Sequence, residues 1–200
     1  MKMNLPNKIT LFRLCCVPAY IVFIMFPVIN ETWSRAIACA IFILAALSDF
    51  ADGYLARKLN LITDFGNFMD TIADKVMIIG AYVAICTSGL YRDVAWFVFI
   101  GTMIVIFREF LVTSIKLIAA TSDEHIVVSA NFPGKIKTVT QCISVVIVLI
   151  EPIVIPASSP MAGFRWLSFA SVLVMSIATV VSGLIYLKKY KSVIFKDGSI

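Results

Sequence analysis

The stretch from Leu47 to Lys75, LSDFADGYLARKLNLITDFGNFMDTIADK, sets Asp49, Asp52, Asp70 and Asp74 in a chain whose other long runs are apolar. Of the 200 residues, 60% are hydrophobic and only 14% charged, against about 25% charged in soluble domains. The mean hydropathy is +0.97. An acid is costly inside a bilayer, so four of them in such a chain point to a site. Asp49 and Asp52 are three residues apart and Asp70 and Asp74 four apart, spacings that put each pair on one face of a helix. If the chain turns near Leu61, Asp52 and Asp70 each lie nine residues from the turn, with Asp49 and Asp74 twelve and thirteen away. At the rise of an α-helix both pairs then sit roughly 13 to 20 Å along their helices and meet at matching depth.

Outward from this hairpin, hydropathy predicts an all-α integral membrane protein with six transmembrane helices, over residues 11–29, 34–58, 66–90, 93–120, 135–156 and 163–187. The breaks between them carry turn chemistry, as in TSGLYRD and IPASSPMAG. A short interfacial segment, NLPNKIT at residues 4–10, precedes the first span, with Pro6 tolerated near a helix start. Residues 1–200 read as a single membrane domain. The N-terminal apolar run lacks a small-residue cleavage site and is read as a retained helix. Five cysteines inside apolar runs, without C-x-x-C spacing, read as small buried residues, and the single His125 as a solvated loop residue.

Lysine and arginine place the chain in its membrane. One side collects Lys2, Lys8, Arg13, Arg57, Lys58, Lys116, Lys135, Lys137, Lys188, Lys189, Lys191 and Lys196, whereas the other holds Arg35, Arg92 and Arg165. Cytoplasmic flanks keep the excess of positive charge. The expectation is a multi-pass protein of the cell (inner or plasma) membrane, with both termini and the acid site facing the cytoplasm. The pI near 9.0 then reflects anionic lipid headgroups and not nucleic acid.

Four carboxylates converging at low dielectric repel one another and require positive charge. Arg57 and Lys75 supply part of it. Divalent cations would supply the rest, and an all-oxygen donor set selects Mg²⁺, Mn²⁺ or Ca²⁺ over zinc. Gly53, Ala56 and Gly66 permit close helix packing or leave room for a planar group and a phosphate chain, with Arg57 aimed at a phosphate oxygen. The competing reading is an ion network of the aspartates with Arg57 and Lys75 and no metal.

The residues DFADGYLARKLNLITDFGNFMDTIAD match D-x-x-D-G-x-x-A-R-x8-G-x3-D-x3-D at every fixed position, and the chain thereby resembles the CDP-alcohol phosphatidyltransferases. The resemblance implies that family's fold and the transfer of a phosphatidyl group from CDP-diacylglycerol to an alcohol, with release of CMP. It further implies two Mg²⁺ or Mn²⁺ ions held by Asp49, Asp52, Asp70 and Asp74, with Asp74 also the catalytic base. Gly53, Arg57 and Thr63 would contact the nucleotide end of the lipid, Gly66 leaving room beside them. Asn7 and Thr10, in NKIT, would complete that pocket. The resemblance also implies a homodimer.

For the acceptor, Arg108 in IFREF, Lys116 in TSIKLI, and Lys135 with Lys137 in FPGKIKT gather on the inner side. Lys116, Lys135 and Lys137 are read either as anion contacts or as side chains snorkelling to headgroups. Arg108 sits in an apolar run and needs a partner, whether Glu109, a phosphate or the acid cluster. REF followed by GKIKT resembles the branch of the family whose acceptor is sn-glycerol 3-phosphate, which implies that Arg108, Lys135, Lys137 and Lys116 bind its phosphate. The chain departs from that branch at Thr71, where proline is common, and at Lys116, where arginine is common. Inositol phosphate and phosphatidylglycerol are the alternative acceptors. From a different class, a cation transporter would need acids along a path to the outer face, and the first, fifth and sixth helices offer only Glu151.

Overall fold

The computed structural model describes residues 5–59, 64–121, 132–155 and 164–191. Within them the side chains of residues 5, 6, 50–59, 64, 65, 67, 119–121, 132 and 133 fall outside the description. Among the described residues six α-helices follow one another: α1 (Leu5–Met25), α2 (Glu31–Leu59), α3 (Asp64–Thr87), α4 (Ala95–Thr121), α5 (Phe132–Val154) and α6 (Trp166–Lys189). A single 3₁₀ turn at Gly89–Tyr91 joins α3 to α4, and no strand occurs among the described residues. Among those residues, α1, α2, α4, α5 and α6 contain stretches long and apolar enough to cross a membrane. α3 has comparable length, 24 residues, but carries Asp70, Asp74 and Lys75 in its first half. Phe107, Phe110 and Val154 are largely exposed on the outer surface, as lipid-facing residues must be. The protein is a multi-pass membrane protein.

Helix ends follow local chemistry. α1 starts at Leu5, so residues 5–10 of the expected interfacial lead-in form its first turns, and Asn4 lies outside the described residues. It stops at Met25 and not at residue 29, because Pro27 disfavours helical geometry at Phe26 and offers no backbone donor. α2 begins at Glu31, three residues earlier than hydropathy suggests, because Asn30 Oδ1 accepts the Trp33 amide at 2.8 Å as an N-cap. Ser88 ends α3; its Oγ accepts the Leu90 amide at 3.2 Å and donates to the Ile24 carbonyl at 2.7 Å. The start of α6 is capped from another helix. Glu151 of α5 accepts the amides of Leu167 at 3.2 Å and Ser168 at 2.7 Å, two donors that helix geometry leaves unsatisfied.

The helices pack in a ring in the order α1, α2, α5, α6, α4, α3 and back to α1, with α3 also touching α5 across it. Tyr20, Phe42, Met77, Tyr82, Leu149 and Met175 fill the middle with essentially no exposure. Tyr20 also donates to the Met77 carbonyl at 2.6 Å, which fastens α1 to α3. α4 and α6 cross so closely at Gly101 that a Cβ there would lie 2.7 Å from Val172 Cγ1. Beyond this core, at the end farther from the aspartates, Arg165 donates to Asp93 at 2.8 Å and to the Ile155 carbonyl. Arg35 there donates to the Leu90 carbonyl at 2.7 Å and lies over the Tyr91 ring.

Candidate active site

α2 ends at Leu59 and α3 begins at Asp64, bracketing the expected turn at Leu61, which lies outside the described residues. Asp49 stands in the later half of α2 and Asp70 and Asp74 in the first half of α3, so the chain direction reverses between the two helices and brings Asp49 and Asp70 to one depth. Among the described residues α1 packs against both helices, and from it Arg13 reaches into the acid cluster. Arg13 Nη1 donates to Asp49 Oδ1 at 2.7 Å and to Asp70 Oδ1 at 3.1 Å. The two carboxylate oxygens are therefore no farther apart than those distances laid end to end. Arg13 has no exposed side-chain surface, whereas Asp49 is 27% and Asp70 47% exposed. The cluster opens on the side of the acids.

Asp74 lies one turn deeper along α3. Its Oδ1 is buried and has no hydrogen-bond partner among the described residues. The charges of Lys137, Asp49, Glu109 and Asp70 all bear on it. A buried acceptor without a donor is uncommon in a folded protein and marks a place for a proton or a cation. Among the described residues no three acids form a closed metal site. Carboxylate oxygens such as those of Asp49, Asp70 and Asp74, one of them orphaned, are the donor type that a hard divalent ion takes. Asp52, Gly53, Ala56 and Arg57 fall on the last turns of α2, their side chains outside the described residues, and Thr63 and His125 lie outside them entirely. Gly66 is half-buried near the start of α3. Thr10, 4% exposed, stands three residues before Arg13 on the same face of α1, and half-buried Asn7 stands three residues before Thr10. Lys75 turns away from the aspartates and donates to Thr113 of α4 at 2.8 Å.

A second cluster lies between α4, α5 and α6. Arg108 donates from Nη1 to Glu109 at 3.1 Å and from Nη2 to Ser182 at 2.9 Å, and its guanidinium lies 5.6 Å from the Tyr186 ring centre. Arg108 Nε is buried without a partner among the described residues. Lys137 pairs with the same Glu109 oxygen. Both cations are buried, Arg108 at 8% and Lys137 at 6% exposure. Lys116 and Lys135 are exposed, so the four basic residues divide into a buried pair and an outer pair. A cavity of about 370 Å³, lined by Met103, Phe107, Leu111, Gly183 and Leu187, opens beside Arg108.

Arg13 counts in the sequence only as one more flank cation; its position inside the apolar run TLFRLCC is the signal that it needs a buried acid. Glu109 is legible as one of several partners for Arg108, but not as the carboxylate shared with Lys137.

Such an arrangement defines a class: helical membrane proteins that set acids and buried cations side by side towards one end of the helix bundle. The family model described as CDP-alcohol phosphatidyltransferase matches residues 3–185, and the chain belongs to that family. It is similar to proteins named CDP-diacylglycerol–glycerol-3-phosphate 3-phosphatidyltransferase from several bacteria. The protein from Bacillus subtilis (strain 168) is 40% identical over 160 residues, 74% of this chain and 77% of the relative. That from Wigglesworthia glossinidia brevipalpis is 37% identical over 72% of this chain and 76% of its own. That from Escherichia coli (strain K12) is 30% identical over 91% of this chain and 90% of its own.

Proposed function

We propose that the protein transfers the phosphatidyl group of CDP-diacylglycerol to sn-glycerol 3-phosphate, releasing CMP and forming phosphatidylglycerophosphate for phospholipid synthesis. The observation that carries the reading is the joining of Asp49 and Asp70 on one guanidinium beside the orphaned oxygen of Asp74, in a chain whose relatives bear the name of that reaction. Asp49, Asp52, Asp70 and Asp74 would hold two Mg²⁺ or Mn²⁺ ions. When bound, the ions neutralise the diphosphate and stabilise charge on the leaving nucleotide.

The acceptor hydroxyl oxygen forms a bond to the phosphorus that carries diacylglycerol, and the bond from that phosphorus to the CMP oxygen breaks. Asp74 takes the hydroxyl proton, a role its buried carboxylate suits. Arg108 and Lys137 bind the acceptor's phosphate at the mouth of the cluster that Glu109 holds together, while exposed Lys135 and Lys116 attract the anion from water. Gly53, Arg57, Thr63 and Gly66, with Asn7 and Thr10 from α1, form the nucleotide pocket. The diacylglycerol tails remain in lipid, and the water-soluble acceptor arrives from the cytoplasm, on the side where lysine and arginine gather. The protein works as a homodimer in the cell membrane.

Purified protein in detergent, with Mg²⁺ and labelled CDP-diacylglycerol, is offered glycerol 3-phosphate, inositol phosphate and phosphatidylglycerol in turn. The expected result is CMP release coupled to lipid product with glycerol 3-phosphate alone. Turnover with either of the others, and none with glycerol 3-phosphate, would refute the acceptor assignment. CMP release without any ion gradient also separates the reading from cation transport.

A further inference from the structure

The geometry points to Arg13 as a positioning residue for the metal ligands, a role that rests on the metal reading above. The fold spends a fully buried guanidinium, on a helix outside the aspartate hairpin, on Asp49 and Asp70. On Asp49 and on Asp70 the nitrogen Nη1 meets Oδ1, so the same nitrogen bears on the orientation of each carboxylate. Asp49 and Asp70 belong to different helices, so one donor sets their mutual distance as well as their rotation. Metal-binding carboxylates depend on such outer partners for orientation. Asp70 in addition has nearly half its side-chain surface open, which leaves it room for a cation besides the guanidinium.

Charge neutralisation alone does not account for this arrangement. A counter-ion for the cluster could come from α3 itself, where Lys75 follows Asp74, yet Lys75 is turned to Thr113. Arg13 is instead held by the packing of α1 on both α2 and α3, with Cys16, Val17 and Tyr20 buried immediately beyond it. Reach is therefore part of the function. A lysine at this position keeps the charge but ends about one atom short of Nη1 and lacks the planar fork.

The experiment is Mn²⁺ binding, read by electron paramagnetic resonance on the purified full chain in detergent, with thermal melting of the metal-free protein as the control for folding. Arg13→Lys and Arg13→Met are both expected to melt cooperatively and to bind Mn²⁺ about 10- to 100-fold more weakly than the wild type, the usual range for loss of an outer partner. Wild-type affinity in either folded variant overturns the inference, as does tighter binding, which is what simple removal of a competing positive charge would give. Failure of both variants to fold would make Arg13 a brace of the bundle and equally overturn it. The metal reading has its own control: if the wild type and Asp70→Asn bind Mn²⁺ alike, that reading fails, whereas a wild type that binds and Arg13 variants that match it defeat only the role given to Arg13.

Discussion

Asp74 and Asp70 differ by one helical turn, and that turn separates an open carboxylate from a buried one with an orphaned oxygen. Replacing Asp74 by Asn keeps the shape and removes the base. Transfer is expected to fall by at least about 100-fold, while binding of CDP-diacylglycerol, measured by retention on the purified protein, stays near the wild-type level. Lost binding with a normal fold would make Asp74 chiefly a ligand. Glu109 offers a second test. Glu109→Ala leaves Arg108 and Lys137 buried without their shared carboxylate, and removing one partner of a buried ion pair costs about 3 to 5 kcal/mol. A lower melting temperature is expected, together with a raised KM for glycerol 3-phosphate and an unchanged KM for CDP-diacylglycerol. The four aspartates were legible because their spacing is local, three and four residues on a helix. Arg13 was not, since its contact with Asp70 spans 57 residues and nothing local marks the pairing.

Helices were legible where apolar runs and turn residues coincide, and all six are present. Their ends were less so, because hydropathy reads the membrane and not the helix. Asn7 and Lys8 lower the hydropathy of the first segment, yet the backbone is helical from Leu5, which brings Asn7, Thr10 and Arg13 into one continuous face. Glu151 shows the same gap between composition and structure. As the lone acid expected in the fifth helix it could belong to an ion path; in place it accepts the first amides of α6, whose own N-cap, Arg165, provides no side-chain cap. Glu151→Ala is expected to lower stability by about 1 to 3 kcal/mol, the cost of buried donors left unmade, with both KM values unchanged. Glu151→Gln, whose amide oxygen still accepts, should recover part of the loss. Thermal melts and initial rates on the same preparations check both.

The ring order of the six helices rests on contacts between distant segments, so the sequence alone could not set α1 against both α2 and α3 or close α4 on α6 at Gly101. What that order produces is a molecule with two unlike ends and a close-packed middle. The acids and the buried basic pair lie towards one end; Tyr20, Phe42, Met77, Tyr82, Leu149 and Met175 seal the centre; Arg165, Asp93 and Arg35 tie the other end. A transmembrane voltage drops across the part of a protein that water does not enter, at about 2.3 kcal/mol per elementary charge per 100 mV for a charge carried all the way. Here the polyanionic nucleotide, the acceptor and their counter-ions would gather and disperse on a single side of that dielectric plug, moving almost no charge through the electric field. Turnover by the protein reconstituted in liposomes should therefore be the same at zero potential and under a potassium diffusion potential imposed with valinomycin, so that lipid synthesis would continue in a depolarised cell.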